Sequence, residues 1–178
     1  MITRLSARLQ LVFDNLIAGH DVWDFCCDHG YLGGAAYKSQ QFKNIYFVDP
    51  VSTIIEKLKF LFYKYLFDAK NSSSPHFLLQ HGQKVNQPVY GTVCITGVGA
   101  FVIYQILCEI AENEFLMAQR LILGPHRDSE KLLLLLKGNK LFDCYELSSQ
   151  KNILENNRNR EFFIFDLKKT TVDSRHHV

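Results

Sequence analysis

Several motifs that would assign a function at once are missing from this 178-residue chain. It has no GxxxxGK[ST] phosphate loop and no complete GxGxxG, which argues against a nucleoside triphosphatase and a nicotinamide-dependent oxidoreductase. No CxxC pair is present, so a zinc site from Cys26, Cys27, His29 and His81 has little support, and we expect no metal. The net charge of +2 neither requires nor excludes a nucleic-acid partner.

Signals for export and for membranes are also missing. No apolar run approaches the length of a membrane span, and the N-terminus lacks the basic-then-apolar layout of a signal peptide. The 5 cysteines are scattered and odd in number, which is typical of reduced thiols. We therefore expect a cytoplasmic protein without a membrane partner.

Apolar periodicity predicts strands that alternate with helices. The predicted helices cover residues 3–17 (with Thr3 as a possible cap), 35–40, 52–67, 101–112 and 129–137. The predicted strands cover residues 22–27, 44–48, 76–79, 93–96, 120–123, 141–147 and 160–167. Residues 148–159 are too few for a crossover helix with its turns, so the last two strands are expected to pair antiparallel.

This order predicts an α/β fold, a doubly wound Rossmann-like sheet of seven strands that is mostly parallel and ends in an antiparallel C-terminal hairpin. We expect one domain over residues 1–168, followed by a flexible tail over 169–178. Right-handed crossovers would place the glycine-rich junctions at the carboxyl edge of the sheet, where a ligand should bind.

The first strand and the turn after it form the central feature of the chain. Asp24 lies within the apolar strand, and Gly30 belongs to the small-residue turn that opens the next helix. Asp49 closes the second strand about 20 residues further on, a position typical of a carboxylate that binds ribose hydroxyls. The alternative is that Asp49 only caps the next helix. A second strand-to-glycine junction contains Gly97.

The run Asp24 to Leu32, with its Asp28-His29-Gly30-Tyr31-Leu32 core, resembles the DIGSDHAYLP signature of the bacterial tRNA (adenine-22-N1)-methyltransferase family, TrmK-like. Residues 97–100 (GVGA) stand where that family has GMGG, and residues 121–126 (LILGPH) stand where it has LILQPN. The resemblance implies a class I S-adenosylmethionine-dependent methyltransferase that acts on adenine N1 in tRNA.

The resemblance also implies roles for individual residues. Asp28 is the expected catalytic residue, because a carboxylate stabilises the positive charge that develops on a methylated adenine; the alternative is that Asp28 caps the following helix. The expected substrate-binding residues are Arg4, Arg8 and Arg127, which flank predicted carboxyl-edge loops, and Tyr31, which could stack on a base; the alternatives are that the arginines are solvated charges and that Tyr31 belongs to the core. The expected cofactor-binding residues are Asp24, Cys26, His29, Gly30, Asp49, Pro50, His81, Gly82 and Gly97.

The chain departs from the family pattern at several of these positions. Cys26 stands where the signature has its first glycine, His81 stands where the family has an aspartate, and Ala100 replaces the last glycine of GMGG. The family's C-terminal helical extension has no counterpart before Val178, so a weaker grip on tRNA is expected. The departures leave open an alternative function, a degenerate, non-catalytic Rossmann-like module that binds RNA or a protein partner.

Overall fold

A computed structural model describes residues 4–155 and 157–169 of the protein. These residues form a seven-stranded sheet with the strand order β3-β2-β1-β4-β5-β7-β6. Strands β1 to β5 pair in parallel, and β7 pairs antiparallel with both β5 and β6. The strands are β1 (Val22–Phe25), β2 (Asn44–Asp49), β3 (Ser74–Leu79), β4 (Val89–Thr96), β5 (Leu116–Gly124), β6 (Tyr145–Glu155) and β7 (Arg158–Leu167). The expected fold class is confirmed.

Helices cover both faces of the sheet. One face packs against α4 and α5, through residues such as Ile106 and Leu132. The other face packs against α1, α2 and α3, through residues such as Val12, Tyr37 and Phe62. The helices are α1 (Ala7–Asp14), α2 (Tyr31–Ser39), α3 (Ser52–Tyr65), α4 (Ala100–Glu112) and α5 (Ser129–Lys137). No helix among the described residues is long and apolar enough to cross a membrane.

The first helix is shorter than predicted. It begins at Ala7, and the Ser6 side chain caps it by accepting a hydrogen bond from the Leu9 N–H. The cap predicted at Thr3 lies outside the described residues, as does the predicted tail apart from Lys169.

The C-terminal hairpin differs most from the prediction. The strand expected at 141–147 was wrong in its bounds, because Lys140–Phe142 is a short 3₁₀ helix and β6 runs from Tyr145 to Glu155. Most of the predicted connection at 148–159 is therefore strand. Backbone hydrogen bonds to β7 hold an edge strand whose side chains are mostly polar, and Ser148 Oγ donates to the Ile164 carbonyl where the register shifts.

The central strand β1 brings the predicted site residues to one edge. All four residues of β1 are buried, and β1 lies between β2 and β4. Because parallel strands end at the same edge, the turn after β1, Asp49 at the end of β2 and Gly97 after β4 lie side by side.

Candidate functional site

A cleft of about 450 Å³ lies at the carboxyl edge, where β1, β2 and β4 end. It brings together many of the residues predicted from the sequence: Arg8, Asp24, Cys26, Asp28, His29, Tyr31, Asp49 and Gly97. The cleft is also lined by residues that the sequence analysis did not assign to cofactor or substrate binding: Leu9, Cys27, Leu32, Ile54, Thr96 and Val98. Most of these have apolar side chains, and periodicity alone identifies such residues only as core.

The turn between β1 and α2 has an unusual backbone. Cys26 has a φ of 57° and Asp28 a φ of 45°, so two residues other than glycine adopt the left-handed conformation. The Cys26 N–H donates to the Val48 carbonyl at 2.8 Å, which ties this turn to β2. The turn thus accommodates a β-carbon at Cys26. It stores strain on the order of 1–2 kcal/mol there, as left-handed backbone does for L-residues.

Asp24 is a buried carboxylic acid with one backbone partner. The Gly33 N–H in the first turn of α2 donates to Asp24 Oδ2 at 3.2 Å. Burial raises the pKa of Asp24 from 3.8 to about 7; the Gly33 hydrogen bond opposes this shift, and the nearby Asp49 and Asp28 carboxylates add to it. Asp24 therefore changes its protonation state close to neutral pH.

Asp49 bonds to the residue that precedes α3 and does not cap the helix, because no side-chain hydrogen bond caps this helix end. Its side chain is buried, and Oδ1 accepts a hydrogen bond from the Val51 N–H at 3.0 Å, immediately before α3. That bond uses one carboxylate oxygen, so Oδ2 can still accept from a ligand. The next residue, Pro50, is exposed and does not line the cleft.

Asp28 is placed at the open mouth of the cleft and does not cap α2. The residue that precedes α2 is Gly30, and no side-chain hydrogen bond caps this helix end. Asp28 Oδ1 lies 3.0 Å from His29 Nδ1, and the side chains of both residues are more than half exposed. His29 also packs edge-on against Tyr31, with ring centroids 5.4 Å apart.

Two of the predicted substrate-binding arginines lie on the α1 side of the cleft. Arg8 lines the cleft, and its Nε lies 3.6 Å from Glu155 Oε2 at the end of β6. Arg4 does not line the cleft but lines an adjoining cavity with Arg8, Tyr31 and Glu155. Arg127 lies apart from them after β5, where its exposed side chain is 4.0 Å from Asp128.

The junctions after β3 and β4 differ in their relation to the cleft. Gly97 has a φ of 79°, and a side chain built there would meet no atom within 4 Å, so the backbone is open to a ligand. His81 is exposed and precedes a 3₁₀ turn that starts at Gly82, which is buried. The structure does not place His81 or Gly82 in the lining of the cleft.

The Cys, His and Asp side chains that line the cleft form neither a thiolate nucleophile nor a metal-binding group. Burial is the largest cause that raises the pKa of Cys26, to about 11, and it also raises the pKa of Cys27, so both thiols stay protonated at neutral pH. Within residues 4–155 and 157–169, no group of three or more His, Cys, Asp or Glu side chains could hold a metal ion, and the alternative zinc site is therefore not assembled. The three carboxyl groups of Asp24, Asp28 and Asp49 instead suit a ligand that has hydroxyl groups and a positive charge.

This architecture is that of a known class. A family model described as "Methyltransferase domain" matches residues 5–163, nearly the whole chain, and the protein belongs to this family. No curated protein sequence matches the chain.

Solved structures identify more specific neighbours. TrmK from M. capricolum in complex with S-adenosyl-homocysteine aligns with a TM-score of 0.74 and 18% identity, over 94% of this chain and 70% of that one. The tRNA methyltransferase TrmK from B. subtilis aligns with a TM-score of 0.77 and 20% identity, over 93% and 67%. Sp1610 from Streptococcus pneumoniae, in complex with S-adenosyl-L-methionine, has a TM-score of 0.77 and 19% identity, over 96% and 77%. The resemblance stated from the sequence is thus confirmed at the level of the fold.

Proposed function

We propose that this chain transfers a methyl group from S-adenosylmethionine to N1 of an adenine in tRNA. The family match supports a methyltransferase rather than a non-catalytic module, and the tRNA methyltransferase among the similar structures supports the acceptor. The observation that carries the proposal is an acidic cleft with two buried carboxyl groups inside, Asp24 and Asp49, and one exposed carboxylate, Asp28, at its mouth.

The residues of the cleft fit this cofactor. Its volume of about 450 Å³ lies within the range of small-molecule sites. Asp49 Oδ2 is available to accept hydrogen bonds from ribose hydroxyls, and the open backbone at Gly97 allows close approach. Asp24 supplies negative charge in the interior when it is ionised. When bound, S-adenosylmethionine supplies an electrophilic methyl group on a positively charged sulfur.

Asp28 performs the acceptor chemistry in this proposal. Adenine N1 is uncharged before it is methylated and cationic afterwards, so a carboxylate beside it stabilises the charge that develops. Asp28 also accepts a hydrogen bond from the exocyclic amine, whose N–H becomes a stronger donor as the base becomes cationic. His29, 3.0 Å from Asp28 Oδ1, orients the carboxylate, and the exposed Tyr31 ring offers a surface on which the base stacks.

The variant Asp28→Asn tests this role. Asn keeps the size of the side chain but removes its charge and its basicity. We expect nearly normal S-adenosylmethionine binding by calorimetry and at least about a tenfold loss in the rate of labelled methyl transfer to bulk tRNA, which is more than about 1.4 kcal/mol of barrier. Asp143→Asn, which changes an exposed carboxylate after the 3₁₀ helix Lys140–Phe142, is the matched control.

Two results would contradict the proposal at different points. A wild-type rate in Asp28→Asn would remove Asp28 from the chemistry. A wild-type protein that binds no S-adenosylmethionine at millimolar concentration, or that methylates protein or small molecules but no tRNA, would remove the assigned reaction itself.

A further inference from the structure

A second cavity, of about 470 Å³, adjoins the cleft on the side of α3. The two share Asp28, His29, Tyr31 and Ile54 in their walls. The far wall of the second cavity is formed by α3 and includes Lys57 and Leu61. A molecule that reaches Asp28 through this cavity therefore lies against α3.

The outer face of α3 continues away from this cavity as an exposed stripe. Lys57, Phe60, Leu61 and Lys64 recur at spacings of three and four residues, so they lie on one face of the helix, and all four are exposed. Tyr65 follows at the end of the helix. We call these five residues the α3 stripe.

Within the α3 stripe, a lysine side chain lies close to two aromatic rings. The Lys64 ammonium lies 5.6 Å from the centre of the Phe60 ring and 5.0 Å from that of the Tyr65 ring. Phe60 is 63% exposed and Tyr65 is 57% exposed, so each ring presents much of its surface to solvent. Exposed aromatic rings beside lysines are the composition of surfaces that bind single-stranded nucleic acids.

We propose that the α3 stripe binds an unpaired segment of the RNA substrate and leads it to Asp28. This inference rests on the proposed function. Bases stack on Phe60 and Tyr65, while Lys57 and Lys64 neutralise phosphates. From Lys57 to Lys64 the stripe is about 10 Å long, the axial length of about three stacked nucleotides.

The charge of the α3 stripe favours RNA over a second copy of the chain. The two charged members of the stripe, Lys57 at its start and Lys64 next to Tyr65 at its other end, are both cationic. In a two-fold dimer the same surface faces itself, so these lysines would face lysines without a carboxylate from the stripe between them. A polyanion supplies the opposite charge along the whole stripe.

The test compares the double variant Phe60→Ala, Lys64→Ala with a matched pair, Tyr90→Ala, Lys137→Ala. Tyr90 is 50% exposed and lies near the start of β4, at the edge of the sheet away from the cleft, and Lys137 is exposed at the end of α5. Affinity is measured by fluorescence anisotropy with bulk tRNA, a single-stranded oligonucleotide and an RNA duplex, each at two salt concentrations. Calorimetry with S-adenosylmethionine and light scattering report the integrity of the cleft and the oligomeric state.

We expect the stripe variant to bind tRNA and the single strand at least about tenfold more weakly, because a stacked base and a phosphate contact are lost. Its salt dependence should be shallower, its S-adenosylmethionine affinity unchanged, and the matched pair should behave as wild type. If the wild type methylates tRNA and the stripe variant binds RNA as tightly as the wild type, this inference is wrong and the proposed function still stands. The inference is also wrong if the wild type is a dimer and the stripe variant is a monomer. It is wrong as well if the stripe variant loses the same affinity for the RNA duplex as for the single strand. A wild type that binds the cofactor but neither binds nor methylates tRNA would overturn both.

Discussion

Replacing Asp24 with Asn should make the ligand-free protein more stable above neutral pH. Burial is the main cause that raises the pKa of Asp24 from 3.8 to about 7 in the folded state. The folded state therefore holds a proton on Asp24 that the unfolded state has released, and the associated stability is fully present below about pH 4. It is lost as the pH rises through about 7.

The size of the stability loss follows from the rise in the pKa of Asp24. About three pKa units correspond to roughly 4 kcal/mol in full, of which about 2–3 kcal/mol falls between pH 5 and pH 8. Asn has no proton to lose and can still accept the hydrogen bond from the Gly33 N–H. The free energy of unfolding of the variant should therefore lack this part of the decline between pH 5 and pH 8.

Urea denaturation at pH 5, 6.5 and 8 measures the effect. Asp143→Asn, at an exposed carboxylate, should follow the wild-type pH dependence and serves as the control. The variant should also bind S-adenosylmethionine more weakly at pH 8, because it cannot supply a charge to a cationic ligand. If wild type and Asp24→Asn lose the same stability between pH 5 and pH 8, the carboxyl group is not held protonated by its burial, and the reasoning is wrong.

Three further predictions concern other parts of the structure. Asp49→Ala should weaken S-adenosylmethionine binding by about 1–3 kcal/mol in calorimetry, since a charge-assisted hydrogen bond is lost. An unchanged affinity together with a lower melting temperature would mean that Asp49 only stabilises the fold, through its bond to the Val51 N–H. Cys26→Gly should unfold at a higher urea concentration than Cys26→Ala, because glycine adopts a φ of 57° without strain; the reverse order would contradict the strain. Asp166→Asn should lower the free energy of unfolding by about 1 kcal/mol or more at pH 7, because Arg120 donates two hydrogen bonds to Asp166 that lower its pKa. This difference from the wild type should shrink below about pH 4, and a difference that stays constant with pH would contradict the prediction.

The sequence predicted the fold well because its strands are short, apolar and separated by clear stops. The helix at Ser129–Lys137 was predicted with its observed bounds, despite its run of leucines, because Asp128 and Gly138 flank it. The hairpin could not be delimited in the same way. The strand β6 is held by backbone hydrogen bonds at the sheet edge, and such bonds place little demand on side-chain type.

The sequence predicted the positions of candidate residues that lie at strand ends. It did not predict those whose position depends on the backbone of a turn or loop. Asp24 and Asp49 were predicted to lie together, and they line the same cleft because β1 and β2 are adjacent parallel strands. Whether Asp28 caps α2 depended on a left-handed backbone at Asp28 and Gly30, which no spacing pattern shows. The position of His81 is set by the loop after β3, which the sequence did not predict. In the structure the His81 side chain is exposed and does not line the cleft.

The contact of Arg8 with Glu155 has a consequence for how the protein is made. Arg8 comes from the first helix and lines the cleft, whereas Glu155 comes from the end of β6 and lies outside the cleft lining, so their contact joins two regions that are synthesised far apart in time. In the sheet, β6 pairs only with β7, which is the last strand of the described chain to leave the ribosome. A nascent chain that stops before Arg158 has no partner for β6 and no fixed place for Glu155. Arg8 therefore gains this partner only after β7 has been synthesised, and cofactor binding by nascent chains of increasing length would show whether the cleft depends on the contact.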